Sequence, residues 1–149
     1  MKVFISYSNK DLDKAEIVYN ALKKYKHSPW YFRRNVTLGF KFWKKISYRI
    51  RKWCDVFLYI STESSPSDGQ EYEIAQALQA SLEQTEKAIL AIPIDNSKVD
   101  CTIDVFAYPH RICSEDLEVE FESIAKDLKK ILKRYKRLGK ELKVKELVK

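Results

Sequence analysis

Apolar and polar positions along this chain follow two alternating regimes. Short continuous apolar runs occur at Val3–Tyr7, Pro29–Phe32, Val56–Ile60 and Ala88–Ile94, the pattern of strands buried on both faces. Between them, over Leu12–Tyr25, Phe42–Trp53 and Glu73–Leu82, apolar residues recur every three or four positions, the pattern of helices with one buried side. In the first helix Ala15, Val18, Tyr19 and Leu22 fall at i, i+3, i+4 and i+7, and Asp11 stands where an N-cap is expected. Strands alternating with helices predict βαβ units, hence an α/β fold with a parallel sheet. A weaker last strand is predicted near Val105–Tyr108, after the turn-rich stretch Asp95–Asp100.

The longest helical pattern closes the chain. Leu117, Phe121, Ile124, Leu128, Ile131, Tyr135, Leu138 and Leu142 are spaced alternately by four and three, an apolar heptad seam. Its first half is expected to cover the sheet. The part beyond about Leu132 outruns a five-strand domain and is expected to project as a partner-binding arm, although Gly139 weakens helix there. This divides the chain into one domain over residues 1–135 and a basic helical extension over 136–149.

Composition changes the picture in two respects. A chain of 149 residues, 45% hydrophobic, can bury a core large enough for one domain, and no apolar run approaches a bilayer span. With no leader pattern at the amino terminus, a soluble cytoplasmic protein is expected. Cys54, Cys101 and Cys113 form no CxxC pair, which favours reduced thiols over a disulfide framework or a metal site. The net charge of +7 is unevenly placed: residues 126–149 carry +8 and residues 1–125 carry −1. A second basic patch, Arg33, Arg34, Lys41, Lys44, Lys45, Arg49, Arg51 and Lys52, contains no acid between its ends and suits a phosphate-bearing ligand or an acidic partner. The heptad seam and the lack of a stacking-aromatic pattern in the tail argue against nucleic acid as a main partner.

In a parallel α/β sheet the ligand crevice lies at the carboxyl ends of the strands. Three loops are predicted to converge there: Ser8–Lys10, Arg33–Gly39 and Ser61–Tyr72. The third ends in Glu71-Tyr72-Glu73-Ile74, where the helix is predicted to begin, and a carboxylate in a first turn is favoured by the positive end of the helix. His27 and His110 stand alone, Ser64-Ser65 has no nearby histidine base, and no glycine-rich phosphate loop is present.

The motifs together resemble a Toll/interleukin-1 receptor (TIR) domain. They are Val-Phe-Ile-Ser-Tyr-Ser at 3–8, Trp30-Tyr31, Arg34 through Gly39 followed by Trp43, Asp55 before Val56–Ile60, Ser61, and Glu73-Ile74 with Ala77. The resemblance spans residues 2 to about 135. It implies a flavodoxin-like, five-stranded parallel sheet with helices on both faces and a long C-terminal helix, and it identifies Arg33–Gly39 with the BB loop, through which TIR domains contact one another.

In enzymatic members of the family, a glutamate at the position of Glu73 is required to break the nicotinamide–ribose bond of NAD+. The resemblance therefore implies NAD+ as substrate, with no further cofactor and no metal. Ser6, Ser8 and Asn9 would line the nucleotide site, Arg33, Arg34 or Lys41 would meet the pyrophosphate, and Trp43 or Tyr72 would flank the rings. The product is ADP-ribose or a cyclic isomer, the setting bacterial immune or cell-suicide signalling, and the partners a separate sensor or effector and further copies of the chain. The other branch of the family is a non-catalytic TIR–TIR interaction module. Gly69 where many enzymatic members carry Trp, together with Phe32, Asn35 and Leu38 at other family positions, feeds that alternative.

Overall fold

The computed structural model describes residues 1–32, 40–83 and 87–133, with positions 40 and 41 described in their backbone only. Four strands, β1 Lys2–Ser6, β2 Ser28–Trp30, β3 Val56–Ser61 and β4 Ala88–Pro93, form one parallel sheet in the order β2-β1-β3-β4. The crossovers are helices: α1 Leu12–Lys24, α2 Phe40–Tyr48 and α3 Asp68–Glu83, with α4 Leu117–Lys126 closing the described chain. Every residue of β3 and β4 is buried, the reason these runs carry no polar alternation.

Strand parity divides the core in two. Val3, Ile5, Val56, Leu58, Ile60, Leu90 and Ile92 face α1 and α4, where Leu22, Leu117, Phe121, Ile124 and Leu128 meet them. Phe4, Phe57, Tyr59, Ile89 and Ala91 face the opposite way, toward Ile46 and Ile50 of the second crossover and Ile74 and Ala77 of α3. The closing seam therefore covers the sheet as its spacing predicted. Asp127 interrupts it with a turn, helix resumes over 128–133, and Leu132 rather than Ile131 becomes the fully buried residue. The arm beyond it, 136–149 included, lies outside the described residues.

Four elements depart from expectation. The fifth strand is reduced to single parallel bridges, Ala91 with Ala107 and Ile94 with Ile112, with a 3-10 turn at Asp104–Phe106. Pro109 separates the two bridges and has no N–H to donate to a ladder. The second crossover is not one α-helix to Trp53: after Tyr48 it widens into a π-helical turn over Arg49–Trp53, closed by Cys54 N–H on the Arg49 carbonyl at 2.9 Å. Asp11 occupies the N-cap position of α1 without making a capping hydrogen bond. The third helix begins at Asp68, five residues before Glu73.

Candidate functional site

The start of α3 decides where its side chains point. Ser67 Oγ accepts the Gln70 backbone N–H at 3.3 Å, and Gln70 Oε1 accepts the Ser67 N–H at 3.1 Å. This reciprocal pair is a capping box. The same Gln70, fully buried, donates through Nε2 to the Ile60 carbonyl at 3.1 Å and so fastens the helix to the end of β3. Positions three and four further on share that face, and Glu73, Ile74 and Ala77 are buried there while Glu71 is exposed.

Glu73 is thus a second-turn residue, 1% exposed. Its setting is one of burial and hydrogen bonding rather than of the helix terminus, which acts within the first turn. Ser6, the last residue of β1 and also fully buried, donates from Oγ to Glu73 Oε1 at 3.2 Å. Ser6 pairs in register with Tyr59 of β3, so Ser6, Tyr59 and Glu73 put three polar groups on one otherwise apolar face. Sequence reasoning passed over Tyr59 as part of a hydrophobic strand. Among the described residues, its hydroxyl is the one buried side-chain polar atom without a hydrogen-bond partner, a condition that typically costs about 1–3 kcal/mol. Burial pushes its pKa up to about 12, against a lowering by the Ser65 hydroxyl and with Asp100, Glu73 and Glu71 adding repulsion.

The loops after β1 and β3 converge as predicted. Thr62 Oγ1 donates to Asp11 Oδ2 at 2.6 Å, and Lys14 Nζ lies 3.3 Å from Asp11 Oδ1, so Asp11 clamps the two loops together. Ser8 is buried, with its carbonyl accepting the Asp11 N–H at 2.8 Å, and Asn9 is exposed at the start of the turn that follows. Trp43 and Tyr72, both half-buried, meet edge to face with ring centroids 4.5 Å apart. Arg33, Arg34 and the Lys41 side chain lie outside the described residues. The rest of the basic patch divides. Arg49 lies over the rings of Trp30 and Trp53, and Arg51 pairs with Glu83 at 3.1 Å. Lys44 and Lys45 remain exposed, lining an outer groove of about 750 Å³ with Phe42 and Tyr48. No cluster of metal-ligating side chains occurs among the described residues, and no described helix is long and apolar enough to cross a membrane.

The family model for the TIR domain matches residues 3–131. No curated protein matches the sequence. Among solved structures, the RPS4 and RRS1 TIR domain heterodimer superimposes with a TM-score of 0.62 at 14% identity, covering 89% of this chain and 99% of the other. A CMP N-glycosidase of Clostridium botulinum, BcmB, gives 0.58 at 16% identity, covering 83% and 98%. A flavodoxin-like domain from Synechococcus gives 0.56 at 13% identity, covering 89% and 98%. At such identities these likenesses establish the flavodoxin-like fold.

Proposed function

The chain belongs to the TIR domain family, and from that premise we propose that it cleaves the N-glycosidic bond between nicotinamide and ribose in NAD+, with Glu73 as the catalytic carboxylate. As that bond breaks, its electron pair leaves with the nicotinamide nitrogen and positive charge develops on the ribose. A fixed carboxylate stabilises that charge through the ribose hydroxyls more strongly in a dry site than in water. Water then attacks the ribose carbon and gives up a proton, yielding ADP-ribose; capture by an internal nucleophile of the adenosine half instead yields a cyclic isomer.

The observation that carries this reading is the burial of Glu73 at the carboxyl end of β1, held by Ser6 at 3.2 Å on a face that is otherwise apolar. A carboxylate withdrawn from solvent is costly for stability and useful for chemistry. The fold neighbour BcmB, named as an N-glycosidase, supports a reaction at a bond between a sugar and a base. Trp43 and Tyr72 offer aromatic surface beside Glu73, a role that Gly69, in the first turn of α3, cannot fill. Ser8 and Asn9 would line the nucleotide, with Arg33, Arg34 and Lys41 toward the pyrophosphate. The setting we propose is bacterial immune or cell-suicide signalling.

NAD+ consumption by concentrated purified protein, followed by chromatography of the products, tests the reading. Glu73→Ala is expected to abolish turnover, a loss of a hundredfold or more, and Glu71→Ala, at an exposed position, to retain it. Equal activity of the Glu73→Ala protein would remove Glu73 from the chemistry. No turnover by the unaltered protein would favour the non-catalytic assembly module, the reading to which Gly69 and the RPS4–RRS1 likeness lend support.

A further inference from the structure

Tyr59 stands on the α3 side of β3, two residues after Phe57, and the same face accepts Phe4 and Phe32 as buried phenyl rings. A phenylalanine at 59 would fill this space without stranding a hydroxyl. The chain instead places a hydroxyl there, fully buried and without a well-formed hydrogen bond among the described residues: the Ser65 hydroxyl acts on it, but that group donates to the Ile60 carbonyl at 3.2 Å. It stands in register with Ser6 and beneath the turn of α3 that carries Glu73.

We propose that the Tyr59 hydroxyl is a substrate-binding group of the Glu73 site, donating to an oxygen of the sugar–base half of the ligand. The inference rests on the reading of the site as a nucleotide glycohydrolase. Three features give it direction. Burial, more than the acids around it, keeps the Tyr59 hydroxyl protonated at neutral pH, so it acts as a donor. Ser6 is already committed to Glu73, which leaves Tyr59 to meet a second oxygen. The half-buried Trp43 and Tyr72 pack against the same core cluster, so a ligand that displaced them would uncover the face carrying both groups.

A stranded hydroxyl that serves a ligand predicts opposite signs for stability and binding, whereas a hydroxyl with a structural partner predicts the same sign. Tyr59→Phe is therefore compared with the parent in thermal melts, and NAD+ affinity is measured by calorimetry in a Glu73→Gln background with and without Tyr59→Phe. The expected result is a melting temperature unchanged or raised and NAD+ affinity weakened about tenfold. Unchanged affinity beside a parent that binds would overturn this proposal and leave the glycohydrolase reading intact. A lowered melting temperature would also overturn it, because the hydroxyl would then have a structural partner. If the unaltered protein neither turns over nor binds NAD+, the glycohydrolase reading falls and the proposal falls with it.

Discussion

At the scale of single residues, the sequence exposed which groups could do chemistry but not which were withdrawn from water. Glu71 and Glu73 are two positions apart, and only the register of α3 makes the first exposed and the second buried. His27 shows the same dependence on context: it stands alone in the sequence, yet its Nε2 lies 2.9 Å from the Ala125 carbonyl and ties the start of β2 to α4. Partial burial holds its pKa below 6.5, against the pull of that carbonyl. The unfolded chain therefore binds the proton more tightly than the folded one. Its contribution to stability is full above pH 6.5 and is lost as the pH falls through the folded value. Urea unfolding at pH 7.5 and pH 5 is expected to show a larger acid loss in the parent than in His27→Gln, and equal losses in the two would remove His27 from the acid response.

At the scale of elements, the apolar runs located all four strands, because a strand buried on both faces has to be written in apolar residues. Boundaries were less legible. Apolar periodicity puts the start of α3 at Glu73 because it is visible only from Ile74 onward, while the helix's start is set by Ser67-x-x-Gln70, a polar signature embedded in a polar loop. The fifth strand failed for the converse reason: Val105–Tyr108 has the composition of a strand, but Pro109 limits how much of it can join a ladder. If the Ser67–Gln70 cap fixes the register of Glu73, Ser67→Ala is expected to cost about 1 kcal/mol, on the order of 3 °C in Tm for a domain of this size. It is also expected to lower NAD+ turnover more than a surface substitution of equal thermal cost, such as one at the exposed Gln79. Parallel losses of stability and activity in the two variants would show that the cap supports the helix without setting the site.

At the scale of the whole molecule, sheet order places the site beside the edge strand that precedes the expected contact segment. β2 is the edge strand, next to β1 with its terminal Ser6, and the chain returns from it through residues 33–39 into α2, on the Glu73 face of the sheet. The expected contact segment, 33–39, lies outside the described residues; the edge strand that precedes it can be approached by a second copy without disturbing either core. Closed or repeating assemblies built from one such contact are the usual outcome for a single chain. Activity per molecule is accordingly expected to rise with protein concentration and to level off where sedimentation shows the oligomer saturating, with Arg33→Ala/Arg34→Ala shifting both curves to higher concentration together. Constant specific activity across a hundredfold dilution, with the oligomer dissociating over the same range, would show instead that each molecule carries a complete site. The buried Ser6–Glu73 pair would then have to act with groups of its own chain alone.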